Sequence, residues 1–223
     1  MNKVTWSIFI ALVIGTLGSL IFIARTSSSK ISQINPYVIQ LASDENGQIA
    51  DHVYGLSDSK VILIEYGDYQ CSGCSITDKK IKSFIEKYKN KISFVFRNYP
   101  LYSSHPNSKA ASSAVEAAGL QGKYWEMHTK IYEVQSEWTN LSSETRTAKF
   151  LSYAQELGLS ETKFKADMAS SEVSKKISFD YALGQKSGIT ETPSFFLNGH
   201  KIDSAIWGDL DKFSEALDKA LAK

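Results

Sequence analysis

Val61-Ile62-Leu63-Ile64-Glu65-Tyr66-Gly67-Asp68-Tyr69-Gln70-Cys71-Ser72-Gly73-Cys74 is the stretch on which the fold turns. It opens with a run of β-branched and aliphatic residues that reads as a buried strand. It closes on a Cys-x-x-Cys pair, after which the apolar period changes. Ile81, Phe84, Ile85 and Tyr88 fall at i, i+3, i+4 and i+7, one stripe of a helix with Lys and Glu on its other faces. Ile92-Ser93-Phe94-Val95-Phe96 is then a second strand. Strand, helix and strand of this length predict a βαβ unit with parallel strands and a right-handed crossover.

Downstream, a helical block is expected from about residue 105 to 187. Ala110, Ala111, Ala114, Val115 and Ala118 mark one helix, and Tyr124, Met127, His128 and Ile131 a second. Phe150, Leu151, Ala154 and Leu157 mark a third, ended by Gly158. A short fourth covers Phe164 to Met168, and Val173, Ile177, Tyr181 and Gly184 give a fifth. Ser194 to Leu197 then reads as a strand, Asn198-Gly199 as a hairpin turn, and His200-Lys201-Ile202 as its partner strand. Leu210, Phe213, Leu217 and Leu221 form a last amphipathic helix. The order is βαβ, helical block, ββα, an α/β domain with a helical insertion, expected over residues 51–223.

Upstream, Val4 to Ala24 is an uncharged apolar run, and about 20 such residues cross a bilayer as a helix. A cleaved export signal would have a shorter apolar region, roughly 7–15 residues, ending in small residues of the A-x-A type. Ala24-Arg25-Thr26 fits that poorly, so residues 1–25 are read as an uncleaved single-pass anchor with the bulk of the chain outside the cell membrane. Residues 26–50, with Thr26-Ser27-Ser28-Ser29, Pro36 and no sustained periodicity, read as a tether. Ile49 to Tyr54 is expected to add a strand at the domain edge.

The formal net charge of +1 carries no concentrated basic face and argues against nucleic acid as a partner. Two cysteines in 223 residues exclude a disulfide-stapled scaffold. A self-contained zinc site wants four ligands, and no second Cys pair or spaced His pair supplies them.

The Cys pair sits where a strand gives way to a helix. The first turn of a helix has unpaired N–H groups and a partial positive charge, which stabilise a thiolate. Cys71 is therefore the expected exposed nucleophile, and Cys74, one turn inside, the shielded resolving thiol. The competing readings are a buried inert pair or half of a shared metal site. Glu65 lies six residues before Cys71, and Tyr66 points to the opposite face of the strand. A carboxylate beneath the buried thiol could exchange a proton with it, and burial would raise its pKa to suit. The alternative is an exposed strand-end acid. Pro193 precedes the third strand, either as a simple strand start or, with Thr192, as a cis peptide packed against the Cys pair. His52, His105, His128 and His200 are scattered and are read as bland surface, loop or stripe residues. Trp125 and Trp138 are read as core of the insertion.

These motifs resemble the DsbA-like proteins, thioredoxin-fold enzymes with a helical insertion. Glu65 to Cys74 resembles their active-site strand and turn. His105-Pro106, the Ala-rich helix and Gln121-Gly122-Lys123-Tyr124-Trp125-Glu126-Met127-His128 resemble their insertion. Gly188 to Gly199 resembles their cis-proline loop and following strand. The resemblance runs from about Val53 to the C-terminus. It implies a protein disulfide oxidoreductase in which Cys71 exchanges with substrate, Cys74 resolves, Glu65 relays the proton, and Thr192 and Pro193 line the substrate groove. It also implies export, reduced exported proteins as substrates, a membrane quinone-linked partner that reoxidises the pair, and no prosthetic group. A monomer is expected. The Ser72-Gly73 dipeptide departs from the Pro-His or Pro-Tyr types common in oxidising members. That leaves the potential within a span of roughly −270 to −120 mV. A reductase or isomerase, and a tethered metal-binding or copper-delivery module, are the competing functions.

Overall fold

In a computed structural model of the chain, residues 31–223 are described throughout, preceded by residues 6, 9, 10, 12–14 and 16. The expected membrane span, Val4 to Ala24, lies mostly outside these residues. Those of it that are described are helical with exposed side chains. Among the described residues no helix is long and apolar enough to cross a membrane. The chain divides at residue 35, and residues 36–223 carry everything that follows.

The βαβ unit forms as its periodicity predicts. Strand β2 (Ile62–Gly67) leads into helix α1 (Ser72–Tyr88) and returns as β3 (Ser93–Asn98), parallel to β2 with Glu65 beside Phe96. Strand β1 (Val53–Gly55) pairs antiparallel with β3 at the sheet edge, the position expected from Ile49 to Tyr54. Strands β4 (Ser194–Leu197) and β5 (His200–Ile202) form the hairpin on the other side, and the sheet order is β1-β3-β2-β4-β5. The hairpin turn has φ of 47° at Asn198 and 83° at Gly199, a left-handed pair that favours Asn-Gly.

Between β3 and β4 lie α2 (Ser108–Gly119), α3 (Tyr124–Glu133), α4 (Gln135–Trp138), α5 (Ser143–Glu156), α6 (Glu161–Met168) and α7 (Ser171–Lys186). Ser142, Ser160 and Ser170 cap three of them, each hydroxyl accepting from the backbone N–H three residues on. After β5 come α8 (Ser204–Trp207) and α9 (Leu210–Leu221). The four-residue helices α4 and α8 were not expected, because one turn shows no repeating stripe.

Two cores meet at the sheet. Leu63, Phe94 and Phe195 pack with Ile81, Phe84 and Ile85 of α1 and Phe213 and Leu217 of α9. Phe96 and the loop between β2 and α1 pack against the insertion through Tyr69, Cys74, Met127, Tyr132 and Trp138.

The opposite face corrects one expectation. Residues 36–50, assigned to a tether, are packed on the domain. Arg97 of β3 is fully buried there and donates to the carbonyls of Pro36 and Val38, to the Tyr66 hydroxyl and to Asp51 at 2.7 Å. Lys176 of α7, equally buried, bonds Asp51 at 2.8 Å and Asp180 at 2.7 Å. Ile49 adds an apolar contact with Val173 and Ile177. The segment is held largely by its carbonyls and by Asp51, and groups of that kind leave no hydrophobic period to read.

Candidate active site

Strand β2 ends at Gly67, and Asp68-Tyr69-Gln70 turns the chain into α1. The turn is fixed by one buried carboxylate. Asp68 accepts from the N–H of Gln70 and of Leu101, both at 2.7 Å, and pairs with His105 at 2.8 Å. The insertion grips the same turn. Gln135 donates to the carbonyls of Tyr69 at 2.8 Å and Cys71 at 3.0 Å, and Gln70 reaches Thr139 and the N–H of Asn107.

Cys71 is thereby set at the N-cap of α1, with extended backbone and no acidic residue in the first helical turn to oppose a thiolate. Its sulfur is half-buried and lies 3.5 Å from the Thr192 carbonyl. Its pKa falls from 9.0 to about 5. The leading cause is the thiol of Cys74 donating to it, and the Thr192 hydroxyl and the first-turn N–H groups of Cys74 and Gly73 add to this, against a burial cost. Cys74 is fully buried and moves the opposite way, first through desolvation and then because its own proton is committed to Cys71. Both cysteines are free thiols in this structure.

Glu65 is where the strand alternation puts it, on the α1 side of the sheet and 2% exposed. Burial raises its pKa well above the ordinary carboxylate value, and the charges of Asp78 and Cys71 raise it further. Its Oε1 has no hydrogen-bond partner. Tyr66 points to the far face, toward Arg97. The Thr192-Pro193 peptide is cis. A β-carbon built on Gly73 would stand 3.6 Å from the Cys71 sulfur and 3.8 Å from Pro193 Cδ, so the first turn of α1 faces the proline directly. Cys71, Cys74, Glu65, Thr192 and Pro193 thus come together from three separate parts of the chain.

Three histidines are less bland than their scatter suggested. His105 buttresses Asp68. His52 pairs with Glu116 at 3.2 Å and stacks on Tyr124. His128 is buried between the Tyr69 hydroxyl, 2.9 Å from Nδ1, and Asp78, 3.1 Å from Nε2. Sequence reasoning also passed over Asp78 itself, although it lies four residues after Cys74 on the same helix face. Of the tryptophans, Trp138 is fully buried in the insertion core, while Trp125 is partly buried between the two cores. Among the described residues no group of three or more His, Cys, Asp or Glu side chains is gathered as a metal site.

Comparison with known proteins places this geometry. The sequence model of the thioredoxin family matches residues 48–219. A thioredoxin-like oxidoreductase from Silicibacter pomeroyi superposes with a TM-score of 0.63 at 26% identity, covering 78% of this chain and 93% of that one. Oxidised BdbD from Bacillus subtilis gives 0.68 at 23% identity, covering 83% of this chain and 98% of that one, a likeness of fold. Among curated sequences, Na(+)/H(+) antiporter NhaA 1 of Salinispora arenicola is 32% identical over 172 residues, 77% of this chain and 25% of that protein. The chain spans about a quarter of the length of the curated relatives it matches, and the ion exchange in their names is said of them as whole proteins. With its family match covering well over half of its length, the chain belongs to the thioredoxin family.

Proposed function

We propose that this protein introduces disulfides into exported proteins through the Cys71/Cys74 pair, working outside the cell membrane on an anchor formed by residues 1–25. The inequality of the two sulfurs carries the reading. At pH 7 a thiol titrating at about 5 is about 99% thiolate, against about 3% for an ordinary cysteine. A stabilised Cys71 thiolate favours the reduced form of the pair, and a pair that prefers to be reduced oxidises others. The lowered Cys71 is reached without a ring or imidazole between the cysteines, so the Ser72-Gly73 departure does not stand against an oxidant.

The exchange follows from the geometry. A substrate thiolate attacks the sulfur of Cys71 in the oxidised pair. The Cys71–Cys74 bond breaks, and Cys74 leaves into a dry pocket where its charge is costly. Protonated Glu65 supplies the proton it needs, as a general acid. The substrate's second thiolate then attacks its own sulfur in the mixed disulfide and releases Cys71 as a thiolate. The substrate has lost two electrons and the pair has gained them. Thr192 and Pro193 border the attacked sulfur and offer backbone to an extended peptide. Reoxidation by a membrane quinone-linked partner runs the steps in reverse, with ionised Glu65 taking the proton from Cys74.

Anchoring rests on the length and apolarity of Val4 to Ala24, and export fits a chain that avoids every thiol outside the pair. The test uses the full chain and a reduced, unfolded substrate. Cys71→Ala should abolish oxidation, Cys74→Ala should accumulate mixed disulfides, and deletion of residues 1–25 should release the protein from membranes. Turnover retained by Cys71→Ala, or a glutathione equilibrium that places the pair near the reducing end of the span, refutes the reading.

A further inference from the structure

Three buried polar atoms near the Cys pair lack hydrogen-bond partners: Glu65 Oε1, Asp78 Oδ2 and the Tyr132 hydroxyl. They belong to one neighbourhood, because Asp78 acts on Glu65, and Glu65, Cys74 and Asp78 all act on Tyr132. Burial first, and then the charge of Asp78, keep Glu65 protonated, and Glu65 in turn acts on Cys74.

The structure gives the two acids unequal partners. His128 stands between the Tyr69 hydroxyl, 2.9 Å from Nδ1, and Asp78 Oδ1, 3.1 Å from Nε2; in the tautomer with its hydrogen on Nε2 the ring accepts from Tyr69 and donates to Asp78. A donated hydrogen bond favours the acceptor that has no proton of its own. Glu65 receives no such bond at Oε1 and has Phe96 and Phe195 as its cross-strand neighbours. In that tautomer His128 discriminates between the two acids. The remaining ionisable groups facing the pair are Cys71 and Cys74 from α1, Tyr69 from the loop and Tyr132 from α3. Asp78 and His128 also border a cavity of about 480 Å³, whose rim carries Lys79, Lys82 and Glu86. None of the cavity-lining residues belongs to the Thr192-Pro193 loop, so the cavity is separate from the substrate groove.

We propose that His128 is a positioning residue of the resolving step: by donating to Asp78 it holds that carboxylate's charge in place and so keeps the proton on Glu65, the acid that acts on Cys74. The inference rests on the reading of Glu65 as the proton donor to Cys74. It assigns to the insertion, which carries His128, a direct hand in the chemistry of the thioredoxin-like half.

The test is a carboxyl titration of Glu65 by carbon NMR in the oxidised full chain, where no Cys71 thiolate interferes. His128→Leu should lower the Glu65 midpoint by about one pH unit or more, because the charge of Asp78 is then no longer held in place. His128→Gln, which keeps an amide donor near Nε2, should restore most of it. Asp78→Asn should lower the midpoint as well. Single-turnover reduction of the pair by dithiothreitol at neutral pH should slow by about tenfold in His128→Leu, with its pH profile displaced in step. A Glu65 midpoint unmoved in folded His128→Leu, or unmoved in Asp78→Asn, overturns the proposal. Glu65→Gln tests the underlying reading separately. If it exchanges as fast as the wild type, Glu65 gives Cys74 no proton, whatever the histidine does.

Discussion

Thr192→Val probes the poise of the pair most cleanly. The Thr192 hydroxyl is buried and forms no hydrogen bond while Cys71 is a thiol, yet it favours the Cys71 thiolate, and valine nearly matches threonine in shape. The substitution therefore removes one donor to the thiolate and little else, since the Thr192 carbonyl 3.5 Å from the sulfur is main chain. A hydrogen bond to a charged group contributes about 1.5–3 kcal/mol. The sulfur is half-exposed and keeps its leading donor, the Cys74 thiol, so the lower end of that range applies. At about 1.4 kcal/mol per pH unit, the Cys71 midpoint should rise from about 5 by about one unit. The destabilised form is the reduced one, so the reduction potential should fall by about 30 mV, making the variant the weaker oxidant. Thiolate absorbance against pH gives the first quantity and a glutathione equilibrium the second. Stability of the oxidised form should hold or rise slightly, because a buried hydroxyl without a good partner is gone. A Cys71 midpoint that stays within about 0.3 units of wild type in the folded variant would refute the assignment of Thr192 as a thiolate donor. So would a potential that rises.

Gly73→His should move the pair the other way. Its β-carbon meets only ordinary contacts, and an added imidazole beside Cys71 stabilises the thiolate, so the potential measured against glutathione should rise by tens of mV, on the order of 30 mV per 1.4 kcal/mol. Asp51→Asn leaves the buried cations Arg97 and Lys176 short of an anion and should cost about 3–5 kcal/mol at neutral pH, read by denaturant unfolding. Arg97 and Lys176 hold the Asp51 carboxyl well below its ordinary value of 3.8 against the cost of burial, so its contribution is present above that value and lost as pH falls beneath it. The gap between wild type and Asp51→Asn should therefore persist from neutrality down to about pH 4 and narrow only at lower pH.

The parts of this protein legible in the sequence are those governed by local periodicity. The stripe Ile81, Phe84, Ile85, Tyr88 announced α1, the aliphatic run before Glu65 announced β2, and Asn198-Gly199 announced the hairpin. Strand alternation alone separated Glu65 from Tyr66 and sent them to opposite faces, where Glu65 acts on the charge of Cys74 and Tyr66 accepts from Arg97. What escaped notice depends on pairing across long separations. Asp51 meets Lys176 over 125 residues, and Tyr69 meets His128 over 59. A buried ion pair of that kind reads, in one dimension, as two ordinary surface charges. The same blindness made residues 36–50 look like a tether and His128 look like one member of an apolar stripe.

That pattern bears on why the insertion exists. A helix N-terminus stabilises a thiolate wherever it occurs, but the poise of Cys71 also needs Thr192, which arrives from the far end of the chain. The loop that carries Cys71 is fastened chiefly to the insertion, through Gln135, Gln70, Asn107 and the His105–Asp68 contact. The insertion also runs directly, through α7, into the Thr192-Pro193 loop. It thus grips one side of the sulfur and delivers the other. A change in its packing is therefore transmitted to the thiolate as a change in the position of the Thr192 donor, with no residue of the pair itself altered.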